Sequence, residues 1–114
     1  MKPEGYPARR RVRRRADFLE AYASGNKRVG RHCVLFARAR PGAPARLGIT
    51  ATKKLGKAAR RNRAKRLVRE AFRGIQPELP QGFDYVVVAR HTIFRAKPRE
   101  LAPELVQLAS EASR

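Results

Sequence analysis

The sequence predicts an α+β fold, a sandwich with one sheet covered by helices, built as a single domain within 114 residues. Three observations carry this reading. Short apolar segments at 31–39, 46–52 and 83–90 have the length and residue types of strands. One long amphipathic segment at 60–73 has helical spacing. Shorter helical patterns lie near the two ends, at 16–24 and after Pro103. The order is helix, two or three strands, helix, strand, helix. With three strands before the long helix it becomes α-β-β-β-α-β-α. A hydrophobic content of 42% is enough for a folded chain with one modest core.

Each element has a local cause. Residues 1–15 are Pro, Gly and Arg with little to bury, and read as an irregular basic arm preceding a domain at 16–114. In 16–24, Phe18 and Tyr22 stand at i and i+4 on one helix face, and Gly25 and Asn26 are stop residues. In RHCVLFARA (31–39), Cys33, Leu35 and Ala37 face one way, and His32, Val34 and Phe36 the other. PGAPA (41–45) is a turn. RLGITAT (46–52) is a second strand, and KKLGK (53–57) a basic connector. The helix at 60–73 hides Ala64, Leu67, Val68, Ala71 and Phe72, with Ile75 on the same apolar arc, and Gly74 is placed to end it. QPELPQG (76–82) is a loop. FDYVVVAR (83–90) is almost continuously apolar, as expected of a central strand buried on both faces. Residues 91–97 read as a loop. Pro98 could open the last helix, but Pro103 would then lie inside it without an N–H, so a start near Pro103 is predicted.

Charge is the most unbalanced property. The net charge is +19, which points to a polyanionic partner. Residues 1–15 hold seven Lys/Arg and one Glu, residues 53–73 hold ten and one, and residues 74–114 hold five of each sign. The charge is therefore concentrated, as a binding surface requires. On the 60–73 helix, Asn62, Lys65, Arg66, Arg69 and Arg73 share the polar side, with Glu70 as the one acid. Lys57, Arg60, Arg61 and Arg63 crowd the helix start, where the helix dipole disfavours cations and an anion would relieve the strain.

The sequence offers no catalytic constellation. None of the nine carboxylates forms a tight pair or a DxD-type cluster. Asp17 and Glu20 are explained by an acidic first helical turn. His32 and His91 lack partners at metal-ligand spacing, and no nucleotide-binding glycine loop appears. Cys33 excludes an internal disulfide, and its apolar setting predicts a buried thiol in a reducing cytoplasm. No apolar run spans a membrane, and the N-terminus lacks the apolar stretch of a signal peptide. The residues thus describe a nucleic-acid binder without its own chemistry, no metal site and no small-molecule substrate. Phe18, Tyr22 and Phe36 are either core residues or a surface for stacking unpaired bases.

The segment KKLGKAARRNRAKRLVREAFR (53–73) closely resembles the signature of the protein subunit of bacterial ribonuclease P. Its Arg-Asn-Arg core, followed by Lys-Arg and a further Arg, is represented by Arg61, Asn62, Arg63, Lys65, Arg66 and Arg69. DFLEAY (17–22), CVLF (33–36), LGITATKKLG (47–56) and DYVVVAR (84–90) resemble the other family blocks in the same order, so the likeness covers about residues 9–110. Cys33 stands where the family often has an aromatic or large apolar residue, and Pro103 suggests a shorter last helix.

The resemblance implies a ribonuclease P protein-like (ribosomal S5 domain 2-like) sandwich with a left-handed βαβ crossover, where handedness rules alone would give a right-handed one. It implies a holoenzyme that removes the 5′ leader of precursor tRNA, with hydrolysis by an RNA subunit using Mg²⁺. On this likeness Lys53, Lys54, Arg60, Arg61, Asn62, Arg63, Lys65, Arg66 and Arg69 face the catalytic RNA, Asn62 capping or hydrogen-bonding at the RNA-facing turn. Phe18, Tyr22 and Phe36 match the aromatics of a leader-binding cleft. Two other classes fit the same residues less fully: a structural RNA-binding protein such as a ribosomal component, and a nucleoid DNA-binding protein.

Overall fold

The computed structural model describes residues 11–114; the first ten residues of the expected arm lie outside the described residues. Helix α1 (Arg15–Ser24) leads into strands β1 (Asn26–Val29), β2 (Cys33–Ala39) and β3 (Arg46–Thr50). A 3-10 turn at Lys53–Leu55 precedes α2 (Ala58–Ile75), and a second at Gln76–Glu78 precedes β4 (Phe83–Ala89). A third at His91–Arg95 leads to α3 (Pro98–Ala112). The sheet order is β1-β2-β4-β3. β2 pairs antiparallel with β1 and β4, and β3 pairs parallel with β4. A parallel neighbour needs a crossover connection, and α2 supplies it.

β4 is the interior strand its sequence predicts: Tyr85, Val86 and Val87 are all fully buried. Leu35, Leu47, Tyr85 and Val87 face a core closed by Val68 and Phe72 of α2 and by Leu101, Leu105 and Leu108 of α3. Tyr85 keeps its hydroxyl satisfied by donating to the Pro80 carbonyl at 2.6 Å, and burial pushes its pKa up to about 12. α1 lies on the opposite side of the sheet. Strand register places three rows across that side: Arg38, Asp84 and Arg46; then Phe36, Val86 and Gly48; then Val34, Val88 and Thr50.

Several expectations are corrected. β1 starts at Asn26, which therefore opens a strand as well as following the helix. β2 starts at Cys33, leaving Arg31 and His32 in the preceding turn. Val12 is 5% exposed, and its N–H donates to the Leu47 carbonyl at 2.9 Å, so the arm's last residues dock on β3. α2 starts at Ala58 and passes through Gly74 to Ile75, because Ile75 is buried in the core; Pro77 follows in the next turn. The stretch 91–97 contains a 3-10 turn with Ile93 buried.

The last helix starts at Pro98 and contains Pro103. Leu101 and Leu105 are fully buried on either side of that proline and hold the first turns against the core. An interior proline costs roughly 3 kcal/mol, and burying two leucines offsets this at ~1.5–3 kcal/mol each. The carbonyl left without its usual partner belongs to Arg99, an exposed residue, where water can satisfy it. Glu100 accepts the Lys97 backbone N–H at 2.8 Å and fixes the start.

Candidate nucleic-acid interface

α2 presents opposite faces to the core and to solvent. Ala64, Val68, Ala71, Phe72 and Ile75 are buried. Lys53, Lys54, Asn62, Arg63 and Arg66 are exposed, while Arg61, Lys65 and Arg69 are half-buried. The first turn of α2 has no acidic residue, and Lys57 at its N-cap gives no side-chain cap. The open N–H groups and the dipole thus favour an external anion. Asn62 is the fifth residue of the helix, so it cannot cap it; it projects from the exposed side beside Arg63.

The cations are not equivalent. The Arg60 guanidinium lies 4.2 Å from the centre of the Phe94 ring, and its Nε donates to the Leu55 carbonyl at 2.9 Å. Gly56, with φ of 120°, lets the connector turn tightly beside that side chain: a Cβ there would meet Arg60 Cδ at 2.9 Å. Arg60 therefore ties the connector and the Phe94 turn to the helix start. Arg61 is different. Its Nε is buried without a hydrogen-bond partner, and no other buried side-chain nitrogen or oxygen among the described residues shares that state. Such a donor calls for an acceptor.

A cleft opens where α1, β3 and α2 converge. Its larger part is about 470 Å³ and is lined by Arg13, Arg15, Phe18, Leu19, Tyr22, Ile49, Thr50, Ala51 and Lys65. A smaller part of about 140 Å³ continues along β3 past Val12, Gly48 and Arg69, and shares Phe18 and Lys65 with the first. Phe18 can lie down on β3 because residue 48 is glycine: a Cβ there would sit 2.9 Å from its ring atoms and from Val12 Cβ. Tyr22 is held by a 2.5 Å hydrogen bond between its hydroxyl and Thr50 Oγ1. Phe36 lies outside the cleft lining. It packs edge-on against Tyr22, with ring centres 5.1 Å apart, and so supports that ring from behind.

The structure thus unites two of the three sequence-identified aromatics with Lys65 and Arg69. It adds Arg13, Arg15, Thr50 and Leu19, the last of them 50% exposed. Arg13 and Arg15 were visible only as part of an undifferentiated basic arm. Leu19 had a local signal, as a large apolar residue off the Phe18/Tyr22 face; Thr50 had none. Three of the carboxylates are engaged elsewhere. Asp17 and Asp84 sit among Arg38, Arg40 and Arg46. Glu104 accepts the His32 backbone N–H at 2.9 Å and lies 2.6 Å from His32 Nδ1, a tie between residues 72 apart in sequence.

A sequence profile of the family described as ribonuclease P matches residues 6–113. The chain belongs to the ribonuclease P protein family. It is 39% identical over 97 residues to the ribonuclease P protein component of Oleidesulfovibrio alaskensis, covering 83% of this chain and 75% of that one. With the component from Desulfosudis oleivorans it shares 42% over 105 residues, covering 91% and 86%. Among solved structures it resembles the RNase P protein of Thermotoga maritima, with a TM-score of 0.78 and 35% identity over 89% of this chain and 96% of that one. The Staphylococcus aureus RNase P protein gives 0.76 and 29%, over 90% and 94%. Ribonuclease P proteins bind RNA and take part in tRNA processing.

Proposed function

We propose that this chain is the RNA-binding subunit of a ribonuclease P holoenzyme, with α2 against the catalytic RNA and the cleft beside it holding the single-stranded 5′ leader of precursor tRNA. The observation that carries the reading is the position of Lys65. It projects from the cationic helix into the cleft that contains Phe18 and Tyr22. One side chain therefore belongs to both surfaces, and leader and catalytic RNA would lie next to each other.

The division of labour follows from the side chains. Lys53, Lys54, Arg61, Arg63, Arg66 and Arg69 supply phosphate contacts, Asn62 hydrogen-bonds from the same side, and Arg60 holds the helix start in place. Phe18 and Tyr22 offer ring faces to unpaired bases, each stack being worth ~1–3 kcal/mol. Phosphate contacts of this kind orient an RNA without reading its sequence. Hydrolysis is assigned to the RNA subunit and its Mg²⁺. Asp17, Asp84 and Glu104 serve the scaffold through the contacts above, which supports that assignment. The site of action in this reading is the cytoplasm.

The test compares substrates with and without a leader. In holoenzyme reconstituted with the catalytic RNA, Phe18→Ala should weaken precursor tRNA by roughly tenfold, the scale of one stacked base, and leave mature tRNA nearly unchanged. Equal weakening of both would remove the leader from this cleft.

A further inference from the structure

The helix that carries the cleft aromatics is held to the sheet by charge as well as by apolar burial. Among the described side chains of α1, Ala21 alone is fully buried; Phe18 and Tyr22 are half-buried and Leu19 is exposed. Beneath its first turn, however, three arginines meet two aspartates. Asp84 of β4 is buried, with its side chain 1% exposed. Arg46 of β3 grips it with both prongs, Nε to Oδ1 at 2.8 Å and Nη2 to Oδ2 at 2.7 Å. Arg40 Nη1 donates to the same carboxylate at 3.2 Å. Asp17 of α1 lies across this row. Its Oδ1 accepts from Arg38 Nη1 at 3.2 Å, and its Oδ2 lies 3.5 Å from Arg46 Nη2.

We propose that Arg46 and Asp17 are positioning residues for leader recognition. Asp84 fixes the Arg46 guanidinium, Arg46 and Arg38 fix Asp17, and Asp17 fixes the rotation of α1, so that the next residue, Phe18, lies against Gly48 and faces the cleft. The proposal rests on the reading of that cleft as the leader site. The lever is short and sensitive. A ring ~6 Å from the helix axis moves about 2 Å when the helix turns by about 20°, enough to spoil a stacked arrangement. A bidentate guanidinium–carboxylate pair has the directional strength to prevent that turn. Lysine would keep the charge of Arg46 but could not span Asp84 and Asp17 together.

The direction of one effect separates positioning from simple electrostatics. Asp17→Asn removes a negative charge beside a basic cleft, so charge alone would tighten RNA binding. Positioning requires the opposite. In the reconstituted holoenzyme, the affinity for precursor tRNA should fall by about fivefold, a partial weakening of one stack, with the affinities for mature tRNA and catalytic RNA unchanged. Arg46→Lys should act in the same direction. On a Phe18→Ala background, the loss caused by Asp17→Asn should shrink well below its value in the parent chain, because the ring next to it is gone. Tighter or unchanged precursor binding by Asp17→Asn, or an effect that adds in full to that of Phe18→Ala, would overturn the proposal. The Asp17 side chain is 24% exposed, so this variant folds even if Arg46→Lys does not; melting curves verify that. If Phe18→Ala is itself leader-selective while Asp17→Asn is silent, only the positioning role fails. If Phe18→Ala shows no leader selectivity, the leader-site reading fails and takes the positioning role with it.

Discussion

Arg60 and Arg63 stand one turn apart on the same basic helix, yet their removal should have opposite signatures. Arg60→Ala removes the guanidinium that stands 4.2 Å from the Phe94 ring centre and the 2.9 Å bond to the Leu55 carbonyl. An exposed cation–π pair is worth ~0.5–1 kcal/mol, and the partly solvated bond to a carbonyl roughly 1 kcal/mol. Removing a cation from the first helical turn returns ~0.3–1 kcal/mol. The net destabilisation is about 1 kcal/mol, which lowers Tm by roughly 3–6 °C for a domain of this size. Arg63 is exposed and makes no hydrogen bond or ion pair among the described residues. Arg63→Ala should leave Tm almost unchanged. It should reduce the slope of log affinity for the catalytic RNA against log salt by ~0.7–0.9, the value for a single phosphate left without its cation. Thermal melts and salt-series binding assays on both variants make the comparison. An Arg60→Ala protein with unchanged Tm and a slope reduced like that of Arg63→Ala would refute the scaffold assignment.

Three further outcomes follow from the packing. Gly48→Ala places a Cβ 2.9 Å from the Phe18 ring and Val12, so it should cost ~1–3 kcal/mol and weaken precursor tRNA more than mature tRNA; a silent substitution would show that the ring has room to move. Asp17 is partly desolvated, which raises its pKa, but the Arg38 hydrogen bond and the Arg46 charge outweigh this and hold the carboxyl below its ordinary 3.8. Its stabilisation is therefore present above about pH 4 and disappears as pH falls through the lowered value, so Asp17→Asn should flatten the acid limb of stability measured by urea melts; an unaltered limb would contradict the pairing. Cys33 is buried, and burial together with the neighbouring Glu104 pushes its thiol pKa up. Its alkylation at pH 8 should be slow in the folded chain and fast in denaturant; rapid labelling of the native protein would place the thiol at the surface.

What the sequence discloses depends on whether the cause is local. β4 is legible because seven consecutive residues lack the alternation of a half-exposed strand, and α2 because Ala64, Val68, Ala71 and Phe72 repeat at helical spacing. The start of α3 is misread because the penalty at Pro103 is local, while the compensation comes from Leu101 and Leu105 packing on distant elements. Gly74 is misread as a stop because the glycine signal is given more weight than Ile75, which lies on the same apolar arc and is buried in the core. At the site, the charges of α2 and the Phe18/Tyr22 pair are visible in one dimension. Their meeting at Lys65 is not, because it requires α1 and α2 to converge at β3. Nor is the diversion of Arg60 onto Phe94, thirty-four residues away, or the assembly of Asp17, Arg46 and Asp84 from three separate elements. An acidic first turn explains Asp17 adequately until the sheet beneath it is known.

The most direct test of the division between binding and chemistry is cleavage of precursor tRNA by the ribonuclease P RNA subunit at low Mg²⁺, with and without this chain. Stimulated removal of the 5′ leader in the presence of the chain, and no cleavage by the chain alone, is the predicted result. Cleavage that the chain does not alter, or hydrolysis by the chain without the RNA, would contradict it.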